Sequence, residues 1–325
     1  MGSIITLSIV QSALELGFIY ALVALALFVS FSILNIADLS TDGCFTLGCA
    51  VCATVTLAGH PILGLVAAMA AGICSGFITA FLQTKMGIQS ILAGIIVNTA
   101  LYTINIAVMG FASNINLFSC DTIFSWAKEH IGGGWYKLII VAVVVILAGI
   151  ILALFLNTRL GLSIRATGDN PDMVRASSIN TSLMITIGLC VANAMTALSG
   201  GLLAQYQKSC DINLGTGMVT IALASLIIGE SLIGKGSMLR RVTGVLLGSC
   251  LYRFMVAVAL RLNVPAECLK LVSACIVAVA IAFPYLKRQA SFVSQRRQAK
   301  AQNHSYLQQI ISESTTSDGE GKNKC

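Results

Sequence analysis

The sequence predicts an all-α, polytopic integral membrane protein with eight or nine transmembrane helices. Hydrophobic residues occupy 57% of the 325 positions and charged residues 10%, whereas a soluble domain carries about 25% charged residues. No single soluble core of this size would hide so much apolar surface. Apolar runs of roughly 20 residues, the length that crosses a bilayer, recur along the chain. Lys and Arg gather in a few connections and in the tail rather than spreading evenly.

The first apolar run begins near Ile4 and reaches Leu34. That is too long for one upright helix, so it tilts or opens with an interfacial stretch before a span at 14–34. No Lys or Arg precedes Lys85, so the basic start of a cleavable signal peptide is not expected. A shorter run bearing Gly and Cys at 43–58 is either a ninth span or a re-entrant helix. Further spans are predicted at 62–83, 88–110, 137–157, 181–204, 216–233, 242–260 and 267–286. Residues 1–286 thus form the membrane domain, and 287–325 a polar tail too poor in apolar residues to pack a core.

Charge placement sets the orientation. Arg159, Arg165 and Arg175 share one connection, and Lys235, Arg240 and Arg241 share the next alternate one. Lys287, Arg288, Arg296, Arg297 and Lys300 open the tail. All three fall on one side if each segment from 181 onward crosses once, and the excess of basic residues makes that side cytoplasmic. The side of the N-terminus depends on whether 43–58 crosses. The net charge of +7 is distributed as membrane topology requires, so no nucleic acid is expected as a partner. Membrane lipid is expected instead, its anionic headgroups attracting the start of the tail.

Several motifs carry less than they suggest. The eleven cysteines are scattered, and Cys44, Cys49 and Cys52 lack the companions of a zinc site, so they read as small packing residues. A disulfide among Cys120, Cys210 and Cys268 is left open. Gly229 to Ser237 nearly fits a phosphate loop but has Gly236 where a hydroxyl must bind magnesium. Asp38 and Asp42 read as caps of the helix beginning near Gly43.

Polar groups inside spans are costly and therefore informative. Asn98, Tyr102 and Asn105 recur on one helix face, and Asn193 and Thr196 make a shorter stripe. Both sets line a translocation path or serve interhelical hydrogen bonds. Arg253 needs a partner within its span, and Glu15 and Glu230 are the acids available. The loop at 111–135 carries Phe111, Phe118, Phe124, Trp126 and Trp135, which mark either the membrane interface or a docking surface.

One connection is unlike the rest. From Gly161 to Asn180 it is long and rich in ordered chemistry: Asp169 or Asn170 caps a helix, Pro171 enters its first turn, and Asp172 lies at its positive end. A short helix at about 171–178 is expected, with charge on both sides. This stretch resembles the cytoplasmic coupling loop of ABC permeases of the branched-chain amino acid and ribose importer family. It matches at Arg165, Ala166, Gly168, Asn170, Ala176 and Ile179, and departs at Met173, Val174 and Ser178. The similarity continues through Leu34 to Gly43, Ile227 to Ser231, and Leu251 to Arg253. It looks most like a branch linked to aromatic amino acid uptake.

The resemblance implies a permease rather than an enzyme. Arg165, Ala166, Gly168, Asp169, Asn170, Pro171, Arg175, Ala176 and Ile179 would contact a cytosolic ABC ATPase subunit. That subunit would bind the ATP and Mg, leaving this chain without a cofactor. A solute-binding protein outside the cell membrane would deliver substrate, and a second copy of the permease would complete the pathway. Small or aromatic amino acids are the expected solutes, with sugars or nucleosides as the alternative. An ion-gradient-driven transporter is the rival class, and it requires intramembrane acids or broken helices.

Overall fold

A computed structural model of the chain describes residues 7–131, 134–234 and 236–261, with isolated helical positions between 271 and 282. The chain divides into two units, 1–277 and 278–325, and every helix described in full lies in the first. Most of the span expected at 267–286, and the whole of the tail at 287–325, lie outside the described residues.

The first apolar run forms α1 (Leu7–Leu27) and continues as a π-helical turn at Phe28–Ile33. It is the most buried of the candidate spans, with 78% of its apolar window inside the protein, so it occupies the centre of the bundle. Asn35 then adopts φ +57°, which no right-handed helix accommodates. The chain stays irregular to Ser40, where Asp38 Oδ1 accepts from the Ser40 amide at 2.9 Å and its hydroxyl at 2.6 Å. This side-chain turn leads into α2 (Thr41–Leu57).

Pro61, whose missing N–H costs nothing in a first turn, opens α3 (Pro61–Thr84), and α4 (Ser90–Val108) returns. A short strand β1 (Asn114–Asn116), α5 (Ile123–Ile131) and α6 (Tyr136–Asn157) follow. Residues expected as a loop are then helical: α7 (Arg159–Asp169) begins at a Thr158 cap, and α8 (Pro171–Ala176) begins at an Asn170 cap. Asn180 caps α9 (Thr181–Gln207), which leads into β2 (Ser209–Asp211). The chain described in full ends with α10 (Met218–Ile233) and α11 (Met238–Arg261).

The bundle is organised round α9. Its small residues let neighbouring backbones approach to contact: Gly48 of α2 rests on Ala197, and Gly72 and Gly76 of α3 rest on Asn193 and Leu189. The pairings ascend together for α2 and in opposite order for α3, so α2 runs parallel and α3 antiparallel to α9. α10 and α11 form an antiparallel pair through Gly229 on Gly244 and Gly248 on Ser225. The Ser249 hydroxyl joins α11 to α1 by donating to the Gly17 carbonyl at 2.7 Å.

Six described helices are long and apolar enough to cross a membrane. Two more are apolar but short, α2 with 17 residues and α10 with 16, or about 25 Å each at 1.5 Å per residue. A hydrocarbon core is about 30 Å thick. α2 starts level with Asn193, midway along α9, and ends beside Gln205, whose amide donates to the Thr56 hydroxyl at 3.3 Å. It covers half the bundle only. The run at 43–58 is therefore a helix that begins inside the protein.

The two ends of the bundle differ. One carries α7, α8 and Arg240. At the other, β1 pairs antiparallel with β2, Asn114 opposite Asp211. Gln11 donates to the Gly134 carbonyl there at 2.7 Å, and Tyr206 to Glu15 at 2.7 Å. The N-terminal end of α1 thus lies opposite the arginine-bearing connection. Among the loop aromatics, Phe124 is buried and meets the Tyr206 ring edge-on at 5.8 Å. Phe111, Phe118 and Trp126 are exposed.

Candidate functional site

A cavity of about 320 Å³ opens where α2 and α10 begin. Asn98, Tyr102 and Asn105 of α4 form one wall, Asp42, Gly43 and Thr46 of α2 another, and Asn213, Gly215 and Thr216 a third. The stripe expected on α4 thus faces a common space. Asn193 and Thr196 do not join it. Asn193 is buried and donates to Asp38 Oδ2 at 2.9 Å and to the Leu189 carbonyl at 3.2 Å. The Thr196 hydroxyl turns back to the Ala192 carbonyl at 3.2 Å. Asn193 thus ties α9 to the segment before α2, while Thr196 satisfies its hydroxyl within α9.

Asp42 has a role the sequence did not show. It sits in the first turn of α2, yet its carboxylate caps a different helix, accepting from the Gly217 amide at 2.9 Å and the Val219 amide at 2.9 Å. The shared capping role expected of Asp38 and Asp42 is corrected accordingly. Asp38 organises the start of α2, and Asp42 closes the start of α10 at Gly217, 175 residues away. The signal was present in the sequence. The residue at the N-cap of α10 is Gly217, which has no side chain to cap it, so the orphan amides of a helix beginning among apolar residues need an acceptor from elsewhere.

At the arginine-bearing end, α7 and α8 form an ordered elbow. Asn170 accepts from the Met173 amide at 3.1 Å, and Arg175 faces Asp172 at 3.6 Å. Gly161, Ile164, Thr167 and Val174 turn inward, while Ala166, Asp169, Asn170, Pro171, Met173, Arg175 and Ala176 are exposed. Arg165, Gly168 and Ile179 are half-buried. Gly168 packs on the backbone of Ile33 and Leu34, leaving no room for a Cβ. The elbow therefore touches the π-helical turn that leads into Asp38 and α2.

The expected pairing of Arg253 with an acid is not formed. Its guanidinium lies on the Tyr20 ring, 3.7 Å from the centroid. Glu15 accepts from Gln11 at 2.8 Å and from Tyr206 at 2.7 Å. Glu230 is bound by Arg241 at 2.8 Å, and Ser32 bridges both, donating to Glu230 at 2.7 Å and accepting from Arg241 at 2.7 Å. The reason is register. The antiparallel contact of Gly229 with Gly244 brings the first turn of α11 level with the last of α10. Arg240 and Arg241, expected in a connection, lie in that first turn.

The remaining motifs resolve simply. Gly229 is a packing residue within α10, and Gly234, at φ +75°, ends it. Cys49 donates to the Gly200 carbonyl at 3.1 Å, and Cys44 lies 3.4 Å from that of Asn193. The described cysteines are free thiols; Cys268 lies outside the described residues. No cluster of metal-ligating side chains occurs among the described residues.

A helical bundle with two short helices that begin inside it, a polar cavity where they start and apolar outward faces is the architecture of a membrane transport protein. The chain belongs to the family of permease components of branched-chain amino acid transport systems, whose profile matches residues 9–282. It is 32% identical to a tyrosine transport system permease protein of Clostridioides difficile, over 83% of this chain and 90% of that one. It is 30% identical to an uncharacterised protein of Rickettsia prowazekii, over 82% and 94% of the two chains. It is 26% identical to a ribose import permease protein of Escherichia coli, over 67% of each chain. No solved structure matches.

Proposed function

We propose that this chain is the membrane subunit of an ATP-driven importer for an amino acid, and that the α7–α8 elbow receives the stroke of a separate cytosolic ATPase. The observation that carries the reading is the elbow itself. It is a doubly capped pair of short helices, exposed on one face and seated through Gly168 on the turn that leads to the cavity. A push on the exposed face moves Ile33 and Leu34, and with them the start of α2.

On this reading the basic end and the C-terminal tail are cytoplasmic, and the N-terminal end of α1 lies on the other side. The six long helices, the two half-length helices and the apolar run at 267–286 together supply nine membrane segments. ATP and Mg are held by the ATPase subunit. A second copy of the chain completes the pathway, and an external solute-binding protein meets the end formed by β1, β2 and α5. The permeases for tyrosine and for ribose among the relatives make an amino acid the first choice of solute and a sugar the second.

The test is ATP-dependent uptake of radiolabelled tyrosine by vesicles holding the permease, its ATPase and the binding protein. Ala176→Trp places bulk on the exposed face of α8. Loss of uptake with an unchanged melting temperature is expected. Uptake that ignores ATP and follows an imposed ion gradient overturns the proposal in favour of a secondary transporter.

A further inference from the structure

The geometry points to the cavity between α2, α4 and α10 as a subsite for a protonated amine, with Asn105 Oδ1 and the Asp42 carboxylate as its acceptors. This rests on the reading of the chain as a permease and specifies which part of the solute the cavity holds.

In transporters with broken helices, the positive ends of half-helices commonly greet the carboxylate of a substrate. Here the amide donors at the start of α10 are already taken. Asp42 accepts from Gly217 and Val219, each at 2.9 Å, and the Thr46 hydroxyl accepts from the Gly215 amide at 3.1 Å. The described lining residues include no Lys or Arg. A carboxylate entering this space would meet the Asp42 carboxylate and no cationic side chain among the described lining residues.

What the cavity wall holds without a partner is an acceptor. Asn105 is 1% exposed, and its Oδ1 has no donor within reach. The amide cannot be turned to remove that vacancy. Its Nδ2 donates to the Gly43 carbonyl at 3.1 Å, and a carbonyl only accepts. A buried acceptor left empty is costly, so a ligand that donates to it is favoured. The Asp42 charge in the adjacent wall selects a cationic donor over a hydroxyl. Asn98 and the Tyr102 ring border the same space and leave room for the remainder of the solute.

Ligand-induced thermal stabilisation of the full-length permease in nanodiscs tests this without the binding protein. The probes are tyramine, which keeps the amine and lacks the carboxylate, 4-hydroxyphenylpropanoate, which does the reverse, and ribose. Tyramine is expected to stabilise the protein, and the other two are not. Asn105→Leu is expected to weaken the tyramine effect about tenfold, the cost of one charge-assisted hydrogen bond, and Asn105→Asp to strengthen it. Copurification of the ATPase subunit with each variant shows that it is folded. Stabilisation by the carboxylic acid or by ribose, or an unchanged tyramine response in Asn105→Leu, overturns the subsite. Failure here with ATP-dependent uptake intact overturns the subsite alone, whereas loss of that uptake in the parent protein removes the reading on which the subsite rests.

Discussion

Asp42 of α2 and Gly217 at the head of α10 are joined by a hydrogen bond of 2.9 Å between a carboxylate and a backbone amide. Two helices that each cover about half the bundle thereby share one junction at the cavity. Removing the acceptor strands two amides among apolar neighbours, since Val219 relies on the same carboxylate. Asp42→Ala is expected to cost about 1–3 kcal/mol, read as a lower melting temperature in detergent. Asp42→Asn keeps one acceptor and should lose less. Equal melting of Asp42→Ala and the parent would refute the junction.

Close approach of α2 to α9 depends on Gly48, where a Cβ would press into the Ala197 backbone. Gly48→Ala is expected to lower stability by about 1–3 kcal/mol through overpacking and to reduce the amount of folded protein recovered. Gly149 is the control: a Cβ there meets Val242 at an ordinary 3.4 Å. Gly149→Ala should be neutral or slightly stabilising, because alanine favours the helix by up to about 1 kcal/mol.

Glu230, Arg241 and Ser32 tie α10, α11 and the π-helical turn together, with Arg241 also over the Phe28 ring at 4.8 Å. The pair is only partly buried, so a value between exposed and fully buried pairs applies. Arg241→Met is expected to cost about 2 kcal/mol. Adding Glu230→Gln should return part of that loss, giving a coupling of about 1 kcal/mol in a double-mutant cycle. Strictly additive effects would argue against the network.

Ser178, just past the end of α8, adopts φ +61°. That region costs a side chain about 1 kcal/mol or more, while glycine enters it freely at some entropic cost. Ser178→Gly is therefore expected to raise stability by a few tenths to about 1 kcal/mol, with transport unchanged. A melting temperature that falls would contradict this account.

The elbow illustrates how far local chemistry reaches. Asn170, Pro171 and Asp172 announce a capped helix because cap, first-turn proline and dipole all act within a few residues. α8 forms there. Arg159 to Asp169 reads as loop, since its one local mark is the Thr158 cap and the rest of the helix is held by packing Gly161 and Gly168 on neighbours. Glu230 and Arg241 are both visible in the sequence, yet their pairing depends on the register of α10 against α11, which no single helix carries.

Hydropathy alone determined that the chain is a helical membrane protein and where its long segments lie, because backbone groups in lipid must be satisfied within each helix. Periodicity placed Asn98, Tyr102 and Asn105 on one face. Only the tertiary structure decided that α2 and α10 begin inside the bundle, that Asp42 caps the second of them, and that Asn193 faces Asp38 instead of the cavity. Those outcomes rest on contacts between residues more than 150 positions apart. Such contacts are set by which backbones can approach, and approach depends on small residues whose partners are chosen only once the bundle has packed.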